Sequence, residues 1–211
     1  TLRPNEIFVA VNQRTFTDRY VLLVHQTSGI RQLSDLKGRK CIIPSSARMS
    51  LALPWLDTLL ASQGGAEGFL AEVRYVSKPS MAVLPVFFRQ VDACLITQKA
   101  FEVSEELNPQ LRKDLHVVAL SPEVVPSVFF FTRGRASIAR EQLEPAIVGL
   151  HETPEGQQVL TVFQCERMVQ CRIERLEDTR RLVEEHQRLN RSKIVRLSGV
   201  SIAPDTAHEN P

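Results

Sequence analysis

The stretch from Leu33 to Pro54 reads LSDLKGRKCIIPSSARMSLALP, and its order of residue types decides the fold. A basic turn containing Gly38 precedes the short apolar run at 41–43, which is typical of a buried strand. Hydroxyl side chains then precede an apolar segment with helical spacing. The stretch therefore predicts a strand followed directly by a helix, a unit that is typical of α/β folds.

The predicted start of this helix has the groups needed to bind an anion. Ser45, Ser46 and Ser50 supply hydroxyls and Arg48 supplies a guanidinium. Free backbone N–H groups and the positive end of the helix dipole favour negative charge at the same place. The alternative is an ordinary N-cap, because serines in front of an apolar helix often do no more than cap it.

Composition limits the kind of protein. The 211 residues are 43% hydrophobic and 24% charged, which is enough to form a core in one domain or in two small lobes. Net charge is only +2, the basic residues are scattered and aromatic residues make up 6%, so we predict no nucleic-acid partner. No run approaches the roughly 18 apolar residues that span a bilayer, so we predict no direct membrane insertion.

Apolar runs typical of strands alternate with runs of helical spacing along most of the chain. The predicted strands cover 7–11, 20–24, 40–43, 73–76, 91–96, 116–120 and 128–132. The predicted helices cover 47–63, 80–89, 101–112, 140–152, 155–163 and 176–191. Such alternation predicts an α/β fold with a mostly parallel sheet, and residues 196–211 are predicted to be a flexible tail.

A second helix start follows the predicted strand at 73–76 and reads Ser77-Lys78-Pro79-Ser80. Because ligands of open α/β sheets lie beyond the carboxyl ends of the strands, both starts can converge on one small anion. The alternative is two independent caps with Arg48 and Lys78 facing solvent. The candidate ligand-binding residues are Tyr20, Ser45, Ser46, Arg48, Ser50, Ser77, Lys78, Ser80 and Thr97.

The sequence predicts no catalytic residue, metal or cofactor. Its histidines have no partner at a useful spacing, and it offers neither a nucleophile with a base nor a pair of poised carboxylates. Cys41 and Cys94 are interpreted as small buried hydrophobic residues. Cys165 and Cys171 could form a local disulfide in an oxidising compartment or remain free.

The ordered motifs between residues 20 and 175 resemble the phosphate/phosphite/phosphonate-binding proteins of ABC importers. They include YVLLV at 20–24, LSDLKG at 33–38, the helix start with Pro54, VSK at 76–78, VDA at 91–93, VP at 125–126 and TPEG at 153–156. The resemblance implies a type II periplasmic-binding-protein-like fold, in which two lobes with mostly parallel sheets are joined by a two-strand hinge. Lobe one would comprise residues 1–25 and 123–195, and lobe two residues 26–122. Members usually carry further residues at the N-terminus, so we expect the N-terminal part of lobe one to be missing.

The resemblance also implies a function. The chain would be a periplasmic or otherwise extracytoplasmic solute-binding protein that delivers a small oxyanion to the membrane permease of an ABC importer. Where the family has Ser-Thr-Ser, this chain has Ala47-Arg48-Met49, so we expect Arg48 to replace hydroxyl contacts with a bidentate charge. The family's second start has Ser-His where this chain has Ser77-Lys78. The acids that hold the amino group of aminophosphonates have no clear match, so an amine-bearing ligand is not expected.

Two other functions remain open on the same fold. One is the ligand-binding sensor domain of a receptor kinase, with the charged helix at 176–191 leading into a signalling helix. The other is an enzyme, because fold alone does not fix function.

One expectation concerns lobe one. A sheet built only from the strands at 7–11, 20–24 and 128–132 would leave free edges and an uncovered apolar face on Phe8, Phe129 and Phe131. We therefore expect the chain either to self-associate through lobe one or to lack residues that cover it.

Overall fold

The computed structural model describes residues 6–12, 14–62, 64, 68–130, 137–163 and 165–198. Within them, the strands are β1 (Glu6–Val11), β2 (Tyr20–His25), β3 (Lys40–Pro44), β4 (Glu72–Val76), β5 (Ala93–Thr97), β6 (Leu115–Leu120), β7 (Val128–Phe129) and β8 (Arg167–Arg172). The helices are α1 (Ala52–Ala61), α2 (Ser80–Phe87), α3 (Gln98–Leu107), α4 (Gln110–Asp114), α5 (Ser137–Val148), α6 (Pro154–Val162) and α7 (Glu177–Ser198). Short 3₁₀ helices cover Leu33–Leu36, Ala47–Met49, Gly149–Glu152 and Ile173–Leu176.

The larger sheet has five strands in the order β4-β3-β5-β2-β6. Strand β3 pairs in parallel with β4 and β5, whereas β2 runs antiparallel to its neighbours β5 and β6. Alternate residues of β2 enter the cores on opposite faces, Leu22 beside Trp55 of α1 and Leu23 beside Val83 of α2. Burial on both faces explains why the sequence of β2 is continuously apolar.

The smaller sheet has three described strands in the order β7-β1-β8, and both pairings are antiparallel. The predicted mostly parallel arrangement therefore applies to the five-stranded sheet only. Strand β8 was not predicted, and it pairs with the whole of β1. Leu160 of α6 and Met168 of β8 pack against Phe8, which is only 2% exposed. The expectation that Phe8 lies on an uncovered apolar face is therefore wrong. Phe131 lies outside the described residues.

Two crossing segments, residues 14–19 and 121–127, connect the sheets. Asp18 and Val124 pair across them, with each backbone N–H donating to the carbonyl of the other residue at 2.8 and 2.9 Å. Because β2 lies inside the five-stranded sheet, the predicted placement of residues 20–25 in lobe one is wrong. We use lobe two for the five-stranded sheet with α1 to α4, and lobe one for the three-stranded sheet with α5 and α6.

Helix α7 leaves lobe one after β8 and packs against α1 of lobe two. Leu182 enters the core beneath α1, and Nε2 of His186 lies 3.2 Å from Oδ2 of Asp57. Thr179 Oγ1 accepts a hydrogen bond of 2.8 Å from the backbone N–H of Val125 in a crossing segment. The helix continues to Ser198 and so includes the first three residues of the predicted flexible tail, 196–198, whereas residues 199–211 lie outside the described part.

Several boundaries differ from the sequence prediction. The helix predicted at 47–63 begins as a 3₁₀ turn and becomes α-helical only at Ala52. The helix predicted at 101–112 is two helices separated at Asn108 and Pro109. None of the helices in the described part of the chain is long and apolar enough to cross a membrane.

All four cysteines are free. Cys165 packs with Phe8 on one face of the three-stranded sheet, and Cys171 packs near Ile7 and Val9 on the other. The local disulfide that the sequence left open is therefore not formed. Burial raises the pKa of the Cys41 thiol to about 12, in keeping with the predicted role of Cys41 as a small buried hydrophobic residue.

Candidate ligand-binding cleft

Three helix starts meet at one edge of the five-stranded sheet. The 3₁₀ turn at Ala47, helix α2 and helix α3 follow β3, β4 and β5, which run in the same direction. A cleft of about 580 Å³ opens at these carboxyl ends. Its polar lining from lobe two consists of Ser46, Arg48, Ser77, Ser80, Thr97, Lys99 and Ser104. The predicted convergence of helix starts is therefore present, with α3 as a third contributor.

The opposite wall of the cleft comes from lobe one and its connection. Asn12 directly follows β1, and Glu166 directly precedes β8. The backbone N–H of Glu166 donates to the carbonyl of Val11 at 3.0 Å, which continues the pairing of β1 with β8. The cleft thus lies between the two lobes, where a two-lobed binding protein holds its ligand.

Arg48 is the most constrained cation of the cleft. Its Nη1 lies 3.6 Å from Oδ1 of Asp18, a side chain that is only 3% exposed, whereas the Arg48 side chain is 33% exposed. The hydroxyl of Tyr20 donates to the Arg48 carbonyl at 2.8 Å and fixes the backbone of the turn. The guanidinium is therefore held near a crossing segment and still reaches the cleft.

The ionisation of these groups follows from burial and neighbouring charge. Burial raises the pKa of the Asp18 carboxyl above its ordinary value, and the positive charges of Arg48 and Lys99 oppose that shift. Burial also raises the pKa of Tyr20 well above its ordinary value, with the Asp18 charge adding to the shift. The Tyr20 phenol therefore stays protonated and keeps donating its hydrogen bond.

The hydroxyl groups at the three starts are used in different ways. Thr97 is a true N-cap, because its Oγ1 accepts from the backbone N–H of Ala100 at 3.2 Å. Ser46 occupies the N-cap position of the 3₁₀ turn without a side-chain cap hydrogen bond, and it is exposed. Ser77 Oγ lies 3.4 Å from the Met81 sulfur, and Ser80 is the first residue of α2. The N-cap alternative, which the sequence offered for the serines, therefore does not describe the side chain of Ser46.

Four of the predicted ligand-binding residues lie outside the cleft lining. Tyr20 is fully buried and its hydroxyl is occupied by Arg48. Ser50 Oγ donates to the carbonyl of Pro126 at 3.0 Å, so it ties the turn to a crossing segment. Ser45 and Lys78 are exposed, and the backbone N–H of Ser45 donates to Val76.

Sequence reasoning did not select Lys99, Asn12 or Glu166. Lys99 carried the same signal as the other candidates, since it lies in the first turn of a helix that follows a buried strand. Asn12 and Glu166 carried no such signal, because long-range pairing of β1 and β8 places them in the cleft. Among the described residues, no group of three or more His, Cys, Asp and Glu side chains could hold a metal ion.

The sequence model of the family described as "ABC transporter, phosphonate, periplasmic substrate-binding protein" matches residues 5–175. The chain therefore belongs to this family of periplasmic substrate-binding proteins, and the resemblance seen in the sequence is confirmed. Membership implies a small-molecule ligand, a membrane permease as partner and an extracytoplasmic location. The family consists of binding proteins rather than enzymes. A search of curated proteins found none that matches.

Solved structures confirm the two-lobed α/β fold. XAC2383 from Xanthomonas citri, bound to ATP, has a TM-score of 0.67 at 15% identity, over 89% of this chain and 72% of that one. PhnD1 from Prochlorococcus marinus, in complex with methylphosphonate, has a TM-score of 0.57 at 17% identity, over 89% of this chain and 72% of that one. PA3383 from Pseudomonas aeruginosa, a binding protein component of an ABC phosphonate transporter, has a TM-score of 0.56 at 19% identity, over 88% of this chain and 63% of that one. The chain thus spans about two thirds of these relatives.

Proposed function

We propose that this protein binds a small oxyanion of the phosphate, phosphite or phosphonate class in the cleft and delivers it to the permease of an ABC importer. The observation that carries the proposal is the convergence of three helix starts on one cleft that also contains Arg48 and Lys99. Helix N-termini and two cations favour an anion, and hydroxyl donors suit its oxygens. XAC2383 was solved with ATP and PhnD1 with methylphosphonate, so phosphorus oxyanions suit this fold.

Arg48 is proposed as the strongest single ligand contact. A guanidinium presents paired donors that match two oxygens of an oxyanion, whereas Lys99 offers a point charge. Ser46, Ser77 and Ser80 line the same end of the cleft and would complete the donor set. Hydrogen bonds to a charged group contribute about 1.5–3 kcal/mol each, so loss of Arg48 should reduce affinity at least tenfold.

The test is calorimetry of the protein with phosphate, phosphite, methylphosphonate and sulfate. We expect Arg48→Ala to weaken binding of the preferred anion at least tenfold and Arg48→Lys to weaken it less. Lys78→Ala is the matched control, since Lys78 is an exposed cation beside the second helix start but outside the cleft lining. Thermal unfolding of each variant checks that it is folded. Absence of binding by all four anions to the folded wild-type protein would contradict the proposal.

A sensor domain is the second candidate function, and the length of α7 favours it. The helix runs to Ser198, seven residues beyond the predicted end at residue 191, and its described part is highly charged. A transmembrane span following this helix in the gene product would assign the same cleft to sensing instead of transport.

A further inference from the structure

Helix α2 has an apolar side that faces away from the core. Met81, Leu84 and Phe88 follow one another at spacings of three and four residues, which places them on one side of the helix. They are 50%, 40% and 61% exposed, and none of them lines the cleft. The opposite side of α2, which includes Val83, packs in the core of lobe two. We call the three exposed residues the α2 face.

The side chains of the α2 face have fixed neighbours. The ring of Phe88 packs edge to face on the ring of Phe87, with their centroids 5.1 Å apart, and Phe87 in turn packs against the core of lobe two. The sulfur of Met81 lies 3.4 Å from Oγ of Ser77. The α2 face is therefore a defined apolar surface on a rigid part of the fold.

Three cations surround the α2 face. The carbonyl of Lys78 accepts a hydrogen bond from the backbone N–H of Met81 at 3.1 Å, and Arg89 directly follows Phe88. Arg74 lies on edge strand β4, two residues before Val76 and hence on the side of the sheet that α2 covers. All three cations are exposed.

No acid offsets these charges nearby in the sequence. Residues 73–91 contain Arg74, Lys78 and Arg89 and neither Asp nor Glu. The ion pairs found among the described residues include none of these three cations. The acids at either end of the stretch, at positions 72 and 92, form ion pairs with cations before and within β3. The α2 face therefore lies in a positive local field.

Arg89 occupies a backbone conformation that favours glycine. Its φ is 59°, in the left-handed region where a side chain is strained, and it directly follows the last turn of α2. Glycine is the usual residue at such a helix end. The arginine that stands here instead adds a cation beside Phe88.

The charge separates the α2 face from the exposed apolar residues of lobe one. Residues 154–166, which include Val162 and Phe163, contain two glutamates and no cation. Both surfaces expose apolar side chains, but only the α2 face has the sign of charge that attracts an anionic partner.

An anionic bilayer matches both properties of the α2 face. Peripheral proteins bind membranes by burying apolar side chains at the boundary between headgroups and acyl chains, while basic residues contact anionic lipids. Long basic side chains can reach lipid phosphates while their methylenes stay on the apolar surface. The family to which the chain belongs works with a transporter, so a membrane is the surface beside which the protein acts.

We propose that the α2 face adsorbs to membranes that contain anionic lipids. The three apolar side chains enter the headgroup boundary, and Arg74, Lys78 and Arg89 contact lipid phosphates. The attachment is peripheral and requires no helix to cross the bilayer. It raises the concentration of the binding protein near its permease, because a partner held on the same surface is met more often.

The experiment is co-sedimentation with vesicles of phosphatidylcholine mixed with an equal part of phosphatidylglycerol, and with vesicles of phosphatidylcholine alone. We expect binding to the mixed vesicles, weaker binding to the neutral ones, and a decrease as salt is raised. Leu84→Ser with Phe88→Ser should lower the partition coefficient at least tenfold, because two large apolar side chains no longer enter the bilayer. Val117→Ser with Leu120→Ser, on exposed positions of β6, is the control.

A second pair of variants tests the charge. Lys78→Gln with Arg89→Gln should lower partitioning by about fivefold for each cation removed. Arg31→Gln with Lys37→Gln removes the same charge from exposed positions elsewhere on lobe two and should have little effect. Thermal unfolding checks that each variant is folded.

Several outcomes would overturn the inference. Equal binding to both kinds of vesicle would remove the role of charge, and equal losses in the α2 variants and their controls would place the contact elsewhere. Loss of vesicle binding in Arg48→Ala would place the lipid headgroup in the cleft. Sedimentation with neither vesicle would leave the α2 face to a protein partner, and light scattering of the Leu84→Ser with Phe88→Ser variant would show whether that partner is a second copy. Oxyanion binding is measured separately by calorimetry, so failure here leaves the proposed function in place.

Discussion

Arg48 and Asp18 lie 3.6 Å apart although they belong to different parts of the fold, one to the turn after β3 and the other to a crossing segment. The cation proposed to hold the ligand therefore already has a counter-ion inside the protein. An entering anion would share Arg48 with a carboxylate that is almost completely buried. This relationship leads to the first two predictions.

Replacing Asp18 by Asn should tighten oxyanion binding by about fivefold. The substitution removes a negative charge next to the proposed site, and a repulsion of about 1 kcal/mol is reasonable for like charges a few ångströms apart in a partly solvated cleft. Calorimetry with the preferred anion measures the change. Asp92→Asn is the matched control, since Asp92 pairs with Arg39 before β5, at the end of the sheet opposite the cleft. Weaker binding by Asp18→Asn would show that Asp18 orients Arg48 instead.

The same carboxyl should make stability depend on pH. Burial holds the pKa of Asp18 in the folded protein above the ordinary value of 3.8. Its contribution to the free energy of unfolding is therefore fully present below that ordinary value and is lost as the pH rises through the folded pKa. Urea unfolding from pH 3.5 to 7 should show the stability of the wild type falling relative to Asp18→Asn as the pH rises. A constant difference between the two proteins would contradict the raised pKa.

The comparison with Asp18→Asn is needed because folding shifts the pKa of some other carboxyls downward, opposite to the upward shift of Asp18. Hydrogen bonds from the backbone of Arg31 and Gln32 lower the pKa of Asp35, and Arg180 lowers that of Glu177. Their contributions to stability are present at higher pH and are lost as the pH falls. They are common to both proteins and cancel in the difference.

Gly156 should tolerate no side chain. A Cβ at this position would lie 2.0 Å from the backbone oxygen of Leu150, where α6 begins against the preceding 3₁₀ helix. Gly156→Ala must displace that backbone, and we expect a loss of about 1–3 kcal/mol in the free energy of unfolding. Gly149→Ala is the control, because its Cβ would meet only a glutamate side-chain oxygen at 3.9 Å. Equal stability of both variants in urea would contradict this packing.

Lobe one should promote self-association of the chain. Val159, Val162 and Phe163 share one face at the end of α6, and they are 41%, 80% and 56% exposed. Contiguous exposed apolar side chains favour contact with another surface. Light scattering should show concentration-dependent association that Val162→Asp reduces and that Leu84→Asp, on an exposed face of lobe two, does not. A monomer at all concentrations would show that this face needs no partner.

Local sequence signals predicted much of lobe two. The apolar runs of β2, β3 and β5 are buried on both faces, so each is recognisable without knowledge of its neighbours. Strand β8 was missed because it is an edge strand in which only Met168 is fully buried. Its partner β1 lies more than 150 residues away in sequence, and only that pairing reveals it.

In the candidate site, too, some residues could be predicted from local sequence and others depend on contacts between distant parts of the chain. Ser46, Arg48, Ser77 and Ser80 follow strands directly, and the parallel pairing of those strands brings them together. The proximity of Arg48 to Asp18 could not be read from the sequence, since it depends on how a crossing segment returns past the turn. Likewise, Tyr20 was predicted to bind the ligand, but its side chain is buried and its hydroxyl donates to the backbone carbonyl of Arg48.

Helix α7 bears on how the two lobes can move. Two crossing segments alone allow one body to swing about the line that joins them, as in hinged domains. The contact of α7 with α1, through Leu182 and the pair of His186 and Asp57, is a third attachment away from that line. Thr179 also anchors the base of α7 to a crossing segment, so the helix cannot follow either lobe freely. The helix therefore acts as a strut, because any change in the angle between the lobes must slide it across α1 or bend it.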